Sequence, residues 1–316
     1  MGAFIIRRLL QMLVVLFIVS LIAFSLLHII PGDPVLTMLG NEASLAQIEN
    51  TRRELGLDQP PPLQYVRWFG NLLQGDFGKS IAYRGEPVAS LIATRLPVTF
   101  HLGLVAFTLS ALLGIPAGIL SAVRRGSWLD TLLTLVSNLG MAIPIFWLGI
   151  LGIYVFALQL AWLPVQGYTS PLENFWLNTR QLIMPALCLA VTPLAALTRL
   201  TRSSMLEVMR QDYIRTAHAK GLRERVVLAR HALKNAIIPI VTLSGLQLRN
   251  LVGGSVLVEQ VFNIPGMGRL MVSSVFNKDF VVVQGGVIML ALVVMLSNLI
   301  VDISYGYLDP RIRHQG

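Results

Sequence analysis

A chain of 316 residues that is 54% hydrophobic and 13% charged, with a mean hydropathy of +0.68, lies outside the range of water-soluble domains and is read as an integral membrane protein. The net charge of +9 comes without a basic stripe interleaved with aromatics, so nucleic acid is excluded as a partner and membrane topology accounts for the charge. The lone Cys188 excludes an internal disulfide and any cysteine metal site.

The first apolar run, residues 9–30, follows Arg7 and Arg8. Its length of about 22 residues suffices to cross a hydrocarbon layer of about 30 Å. No small-x-small cleavage site follows, so the run reads as an uncleaved span rather than a secretory signal. The segment up to residue 94 is too long for a plain connector. Ser44 and Gln47 make a capping box that opens a helix carrying Leu45, Ile48 and Leu55 on one side, with Gly56 closing it. After Pro60, Pro61 and Pro62 a second helix carries Val66, Phe69 and Leu73. These helices could lie on the membrane surface, cover the mouth of a path, or receive a partner.

Five further apolar runs, at residues 98–123, 132–160, 182–200, 235–258 and 281–304, bring the expected spans to six. Gly114 and Gly118 have the small-xxx-small spacing that lets helices approach closely. Pro116, Pro144 and Pro193 are tolerated where neighbouring helices satisfy the freed carbonyls. Of the 25 Lys and Arg, fifteen fall on the side that holds both termini and the stretch between the fourth and fifth spans. That bias predicts cytoplasmic termini. Trp128, Trp162 and Trp176 sit near span ends, as interfacial anchors do.

The charged stretch 201–239 is the polar centre of the chain. Leu206, Met209, Tyr213, Ile214 and Ala217 recur at spacings of three and four, predicting an amphipathic helix that Gly221 ends in a left-handed turn. A second short helix is expected from about 224 to 235, with Pro239 in the first turn of the next span. A bare solvated loop has no use for the apolar stripe, so the stretch reads as a bent basic finger that docks on protein. Within the fifth span Arg249, with Gln247 and Asn250, is the ionisable group most open to a role in a translocation path. A structural tie to a neighbouring helix or subunit fits Arg249 equally well.

Residues 75–80 end in Lys-Ser but lack the glycine spacing of a phosphate-binding loop. His28, His101, His218, His231 and His314 show no ligand spacing, and no nucleophile elbow or carboxylate pair is present. The chain reads as a non-enzyme with no catalytic residue, metal or cofactor of its own. An ion-coupled transporter would call for several carboxylates at the membrane midplane, and a passive anchor would need neither polar midplane residues nor long outer loops.

Residues 213–221, 231–236 and Pro239 resemble the coupling loop of permease subunits of bacterial ABC importers, in the branch that moves dipeptides, oligopeptides, glutathione and nickel. Pro31-Gly32-Asp33-Pro34, Gly75-Asp76-Phe77-Gly78, Pro265-Gly266-Met267-Gly268 and Asp309-Pro310-Arg311 are similar to strings of the same family, and the short N-terminal tail is similar to that of the first permease of the pair. Arg215 stands where other branches carry an acidic residue, and the distance from Gly221 to Pro239 exceeds the general motif; both suit the peptide and nickel branch. The resemblance implies an all-α type I importer permease. Its parts are an N-terminal span (1–30), an external loop with short helices (31–94), a transmembrane domain (95–305) containing the coupling loop (201–239), and a cytoplasmic tail (306–316). It further implies that Tyr213, Ile214, Arg215, Thr216, Ala217, Lys220 and Gly221 dock on two ATPase subunits, which hold the ATP and Mg. A second homologous permease and an external substrate-binding protein complete the assembly in the bacterial inner membrane. The implied cargo is dipeptides or oligopeptides, with glutathione or nickel chelates as the alternative.

Overall fold

The computed structural model describes residues 2–29, 33–39, 43–54, 56–249 and 251–308. In chain order the helices are α1 (Gly2–Ile29), α2 (Pro34–Leu39), α3 (Leu45–Glu54), α4 (Pro61–Leu73), α5 (Val88–Val123), α6 (Trp128–Ala142), α7 (Ile145–Gly152) and α8 (Phe175–Val208). They continue as α9 (Asp212–Ala219), α10 (Glu224–Val226), α11 (Leu233–Arg249), α12 (Leu251–Gly254), α13 (Val256–Val261), α14 (Met267–Phe276) and α15 (Phe280–Leu308). Two π-helical segments, Ile153–Gln159 and Val227–Ala232, are inserted between them. Among the described residues four helices are long and apolar enough to cross a membrane, and the count reaches six if each of two bent pairs is one span.

The chain divides into two compact units, one built from residues 1–99 with 265–300 and the other from 100–264 with 301–315. In the first, Leu27, Val88, Leu91, Met267 and Val282 form the buried core. The expected capping box forms: the Ser44 N–H donates to Gln47 Oε1 at 2.9 Å and the Gln47 N–H to Ser44 Oγ at 3.3 Å. Gly56, at φ +67°, closes α3; Leu55 lies outside the described residues. Asp33 accepts from the Val35 N–H at the start of α2 and pairs with Arg52, while Pro31 and Gly32 lie outside the described residues.

The Gly75-Asp76-Phe77-Gly78 string and Asp279 meet in this unit. Asp279 immediately precedes α15, accepts from the Val282 N–H and is 1% exposed. Its Oδ2 accepts from Ser80 Oγ at 2.5 Å and from the Ala82 N–H at 3.0 Å, so a carboxylate that caps a span also fixes a loop nearly two hundred residues away in sequence. Gly78 adopts φ +80°, and a Cβ there would come within 2.8 Å of Val281 Cγ1; both features require glycine.

In the second unit α8 packs against α6 and α11, and the expected glycine contacts are present on α5. A Cβ on Gly114 would lie 2.8 Å from the Leu194 carbonyl oxygen and one on Gly118 2.5 Å from Thr201 Cβ, while Thr198 Oγ1 donates to the Gly114 carbonyl at 3.2 Å. Thus α5 and α8 touch backbone to backbone. Around the His101 ring, Tyr168 Oη lies 3.0 Å from Nδ1. Burial, and secondarily the Glu173 carboxylate, push the Tyr168 phenol above its ordinary value and keep its proton on.

Several expectations are corrected here. The run 132–160 is two helices meeting at 104°. Pro144 forces Ile143 out of the helical region to φ −77°, ψ 127°. The fourth span begins at Phe175 and continues to Val208, so the first eight residues of the expected finger belong to it. Pro239 lies inside α11 rather than at a helix start; it marks a 50° bend between residues 224–237 and 239–247, because a proline offers no N–H to the carbonyl four residues back and its ring crowds that carbonyl. The expected second helix of the finger is α10, a π segment and the start of α11 in continuous succession. The fifth run, expected to be continuous, is interrupted at Ser255, between α12 and α13. On α4, Val66 and Leu73 are exposed, and Tyr65 and Trp68 do the packing instead.

Candidate coupling surface and the polar node behind it

The finger is built on α9 and the helical limb that begins at Glu224. Gln211, in extended conformation, precedes the first turn, and Asp212 places its carboxylate there, where the helix dipole favours it. After Ala219 the chain reverses in a Schellman motif: the Gly221 N–H donates to the His218 carbonyl at 2.9 Å and the Leu222 N–H to the Ala217 carbonyl at 3.4 Å. Gly221 sits at φ +75°, as the glycine position in sequence implied.

The seven residues expected at the docking surface divide by direction. Ile214 and Ala217 point inward, 3% and 5% exposed, into a core with Ala122, Met205, Val227, Ala232 and Ala236. Tyr213 lies on the rim and its hydroxyl accepts from Asn235 Nδ2 at 2.9 Å, fastening the two limbs together. Arg215, Thr216, Lys220 and Gly221 are exposed. Arg223 and Arg225 are exposed on the following turn, and Arg215 pairs with the exposed Asp212 at 3.4 Å. The outward face is therefore basic and the inward face apolar.

This core continues into two spans, since Ala122 lies on α5 and Met205 on α8, with Ile119 and Leu206 packed beside them. One turn away a polar node ties the same helices. Arg202 donates from Nε to Asp130 Oδ1 at 2.7 Å and from Nη2 to Oδ2 at 2.9 Å. Ser121 Oγ donates to Oδ1 at 2.5 Å and the Gly126 N–H to Oδ2 at 3.0 Å. Ser127 caps α6, accepting from the Asp130 N–H. Every oxygen lone-pair direction of a carboxylate only 8% exposed is thus occupied, and a fork-to-fork pair fixes orientation as well as distance. Above the node a cavity of about 460 Å³ is lined by polar groups that include Thr134, Asn138, Thr198 and Arg199.

Sequence reasoning missed this node. Its signal was legible: Ser121 stands inside an apolar run, Asp130 and Arg202 stand at the ends of two others, and Thr134 with Asn138 and Thr198 with Arg202 are spaced one helical turn apart. Of the expected path residues, Gln247 is half-buried on α11, the side chain of Arg249 lies outside the described residues, and so does Asn250. Among the described residues no three metal-ligating side chains come together.

Apolar spans, two of them bent pairs, with a basic hairpin rooted in α5 and α8 and a polar node at its base, are the parts of a membrane-embedded protein. Residues 114–314 match the family described as binding-protein-dependent transport system inner membrane component, and residues 1–103 match the N-terminal region of such components. The chain belongs to this family. It is 43% identical to the oligopeptide transport system permease protein AppB of Bacillus subtilis, with 99% of this chain and all of that one covered. Identity is 38% to the dipeptide permease DppB of Alkalihalophilus pseudofirmus, covering 99% of this chain and 100% of that one. It is 42% to the glutathione permease GsiC of Escherichia coli O1:K1 / APEC, covering 99% of both. The fold is similar to that of the MetNI methionine ABC transporter in an inward-facing form, with TM-score 0.54 and 19% identity, covering 69% of this chain and 96% of that one. The protein is a multi-pass membrane permease, a transport component of an ABC importer.

Proposed function

We propose that this permease forms part of the translocation path for dipeptides or oligopeptides and that its finger, α9 with the limb that begins at Glu224, is gripped by separate ATP-hydrolysing subunits. One observation carries the reading: the core under the finger is made jointly with α5 and α8, so displacement of the finger moves two spans with it. Arg215, Thr216, Lys220 and Gly221, with the Tyr213 rim, form the docking face; Ile214 and Ala217 hold that face in shape. A second homologous permease closes the path, an external binding protein delivers the cargo, and ATP with its Mg stays on the two partner ATPases. Both termini lie on the cytoplasmic side. Gln247, Arg249 and Asn250 contribute polar groups to the path, along with the cavity behind Asp130 and Arg202.

The test is co-expression with the partner ATPases and permease, followed by reconstitution with the binding protein. Arg215→Glu combined with Lys220→Glu is expected to reduce ATPase co-purification and abolish peptide uptake while the permease stays folded. Undiminished uptake overturns the docking role. Glutathione is the second reading, favoured by the 42% identity to a glutathione permease; uptake of labelled glutathione without uptake of peptides would replace the first reading with it.

A further inference from the structure

Helix α4 follows the first span in sequence and has two unlike faces. Gln64, Arg67 and Asn71 turn toward a cavity of about 650 Å³ within the unit, shared with Leu57, Phe77 and Val281. Leu63, Val66 and Leu73 lie on the other face and are 53%, 64% and 74% exposed. Between the faces Tyr65 and Trp68 hold α4 against α1. Tyr65 Oη lies 2.8 Å from Ser20 Oγ, its ring packs edge-on against Phe17 and Phe24, Trp68 packs on Phe24, and Gln64 Oε1 meets His28 Nε2 at 3.0 Å.

The depth of these contacts identifies what covers the exposed face. A helix rises about 1.5 Å per residue, so Ser20 lies about 14 Å along α1 from Ile29, near the middle of a hydrocarbon layer about 30 Å thick. Leu13, Val14 and Phe17 of α1 are themselves half or more exposed, which is the surface a span offers to lipid. A helix whose Tyr65 reaches that depth cannot stand clear in water. At 13 residues, α4 is too short to cross, and its apolar stripe beside a polar face is the pattern of a helix lying in one leaflet. We propose that α4 is a monotopic helix seated in the leaflet at the C-terminal end of α1, with Leu63, Val66 and Leu73 against acyl chains. The segment after the first span is then partly a lipid-bound collar around α1. Arg67 and Asn71 stay on the protein side, where they line the cavity.

Nitroxide labels test this in the full-length chain reconstituted into phosphatidylethanolamine and phosphatidylglycerol liposomes. In a Cys188→Ala background, Val66→Cys and Leu73→Cys are labelled, with Leu13→Cys as the lipid reference and Leu45→Cys, on the 86% exposed start of α3, as the aqueous one. Collision rates with oxygen and with a water-soluble nickel chelate are compared. The expected result is an oxygen-to-chelate ratio at 66 and 73 that matches position 13 and exceeds position 45 severalfold. A ratio equal to that at 45 overturns the proposal, and so does suppression of both collision rates, which would mean that protein covers the face. Because no transport is measured, failure here leaves the peptide-import reading standing.

Discussion

Replacing Arg202 with methionine isolates the mechanical part of the site from the docking part. Arg202→Met removes two of the four hydrogen bonds to the Asp130 carboxylate, leaving Ser121 Oγ and the Gly126 N–H. Breaking a buried pair from one side costs about 3–5 kcal/mol; with the Arg202 side chain 31% exposed the expected loss is about 3 kcal/mol, at the low end of that range. Adding Asp130→Asn removes the stranded charge: the amide oxygen takes the Gly126 N–H, and the amide NH2, standing where Oδ1 was, donates to the Ser121 hydroxyl, which accepts as readily as it donates. The double variant is therefore expected to lie only about 1 kcal/mol below the parent. Reversible unfolding in mixed micelles measures all three proteins. The functional signature is separate: the finger's outer face is untouched, so ATPase co-purification is retained while uptake falls. A single variant within about 0.5 kcal/mol of the parent, as for a surface change, or a double variant no better than the single, would refute the reasoning.

Gly118→Ala, pressing a methyl group onto Thr201 and the Thr198 carbonyl, is expected to cost about 1–3 kcal/mol in the same assay. Gly70→Ala on α4, with no atom within 4 Å of the new Cβ, leaves stability unchanged or slightly raised. Asp279→Ala removes a helix cap and the tie to Ser80 and Ala82, costing about 2 kcal/mol; trypsin should then cut faster at the exposed Arg84 in that loop. Gly221→Ala places a Cβ at φ +75° and costs about 1 kcal/mol, with Gly221→Asn losing less. ATPase co-purification is expected to follow the same order.

The parts of the structure legible in sequence are those set by local chemistry. The box at Ser44 and Gln47, the turn at Gly221 and the close approach at Gly114 and Gly118 each follow from a few neighbouring residues, and each forms. Span ends were less legible, because α8 runs past its apolar stretch into charged residues that a long helix tolerates where it leaves the membrane. The break at Pro144 was visible as a proline, yet whether it bends or interrupts a span depends on packing. Directions within the finger depended on tertiary contacts: the stripe of Ile214 and Ala217 marked an apolar face correctly, and only the fold shows that this face is spent on the chain's own α5 and α8. The Asp130 node joins residues 121, 126, 130 and 202, so its members announce themselves singly and acquire meaning only together.

The uninterrupted run of α8 sets the scale of movement available to the permease. Thirty-four residues make a rod about 51 Å long. Tilting such a rod by about 5° about one end sweeps the other through roughly 4 Å, so a slight rocking where Met205 meets the hairpin is enough to widen or pinch a passage at the opposite surface. Under the proposed docking role, a lever arm of that length would let an event at the hairpin be felt on the far side of the bilayer.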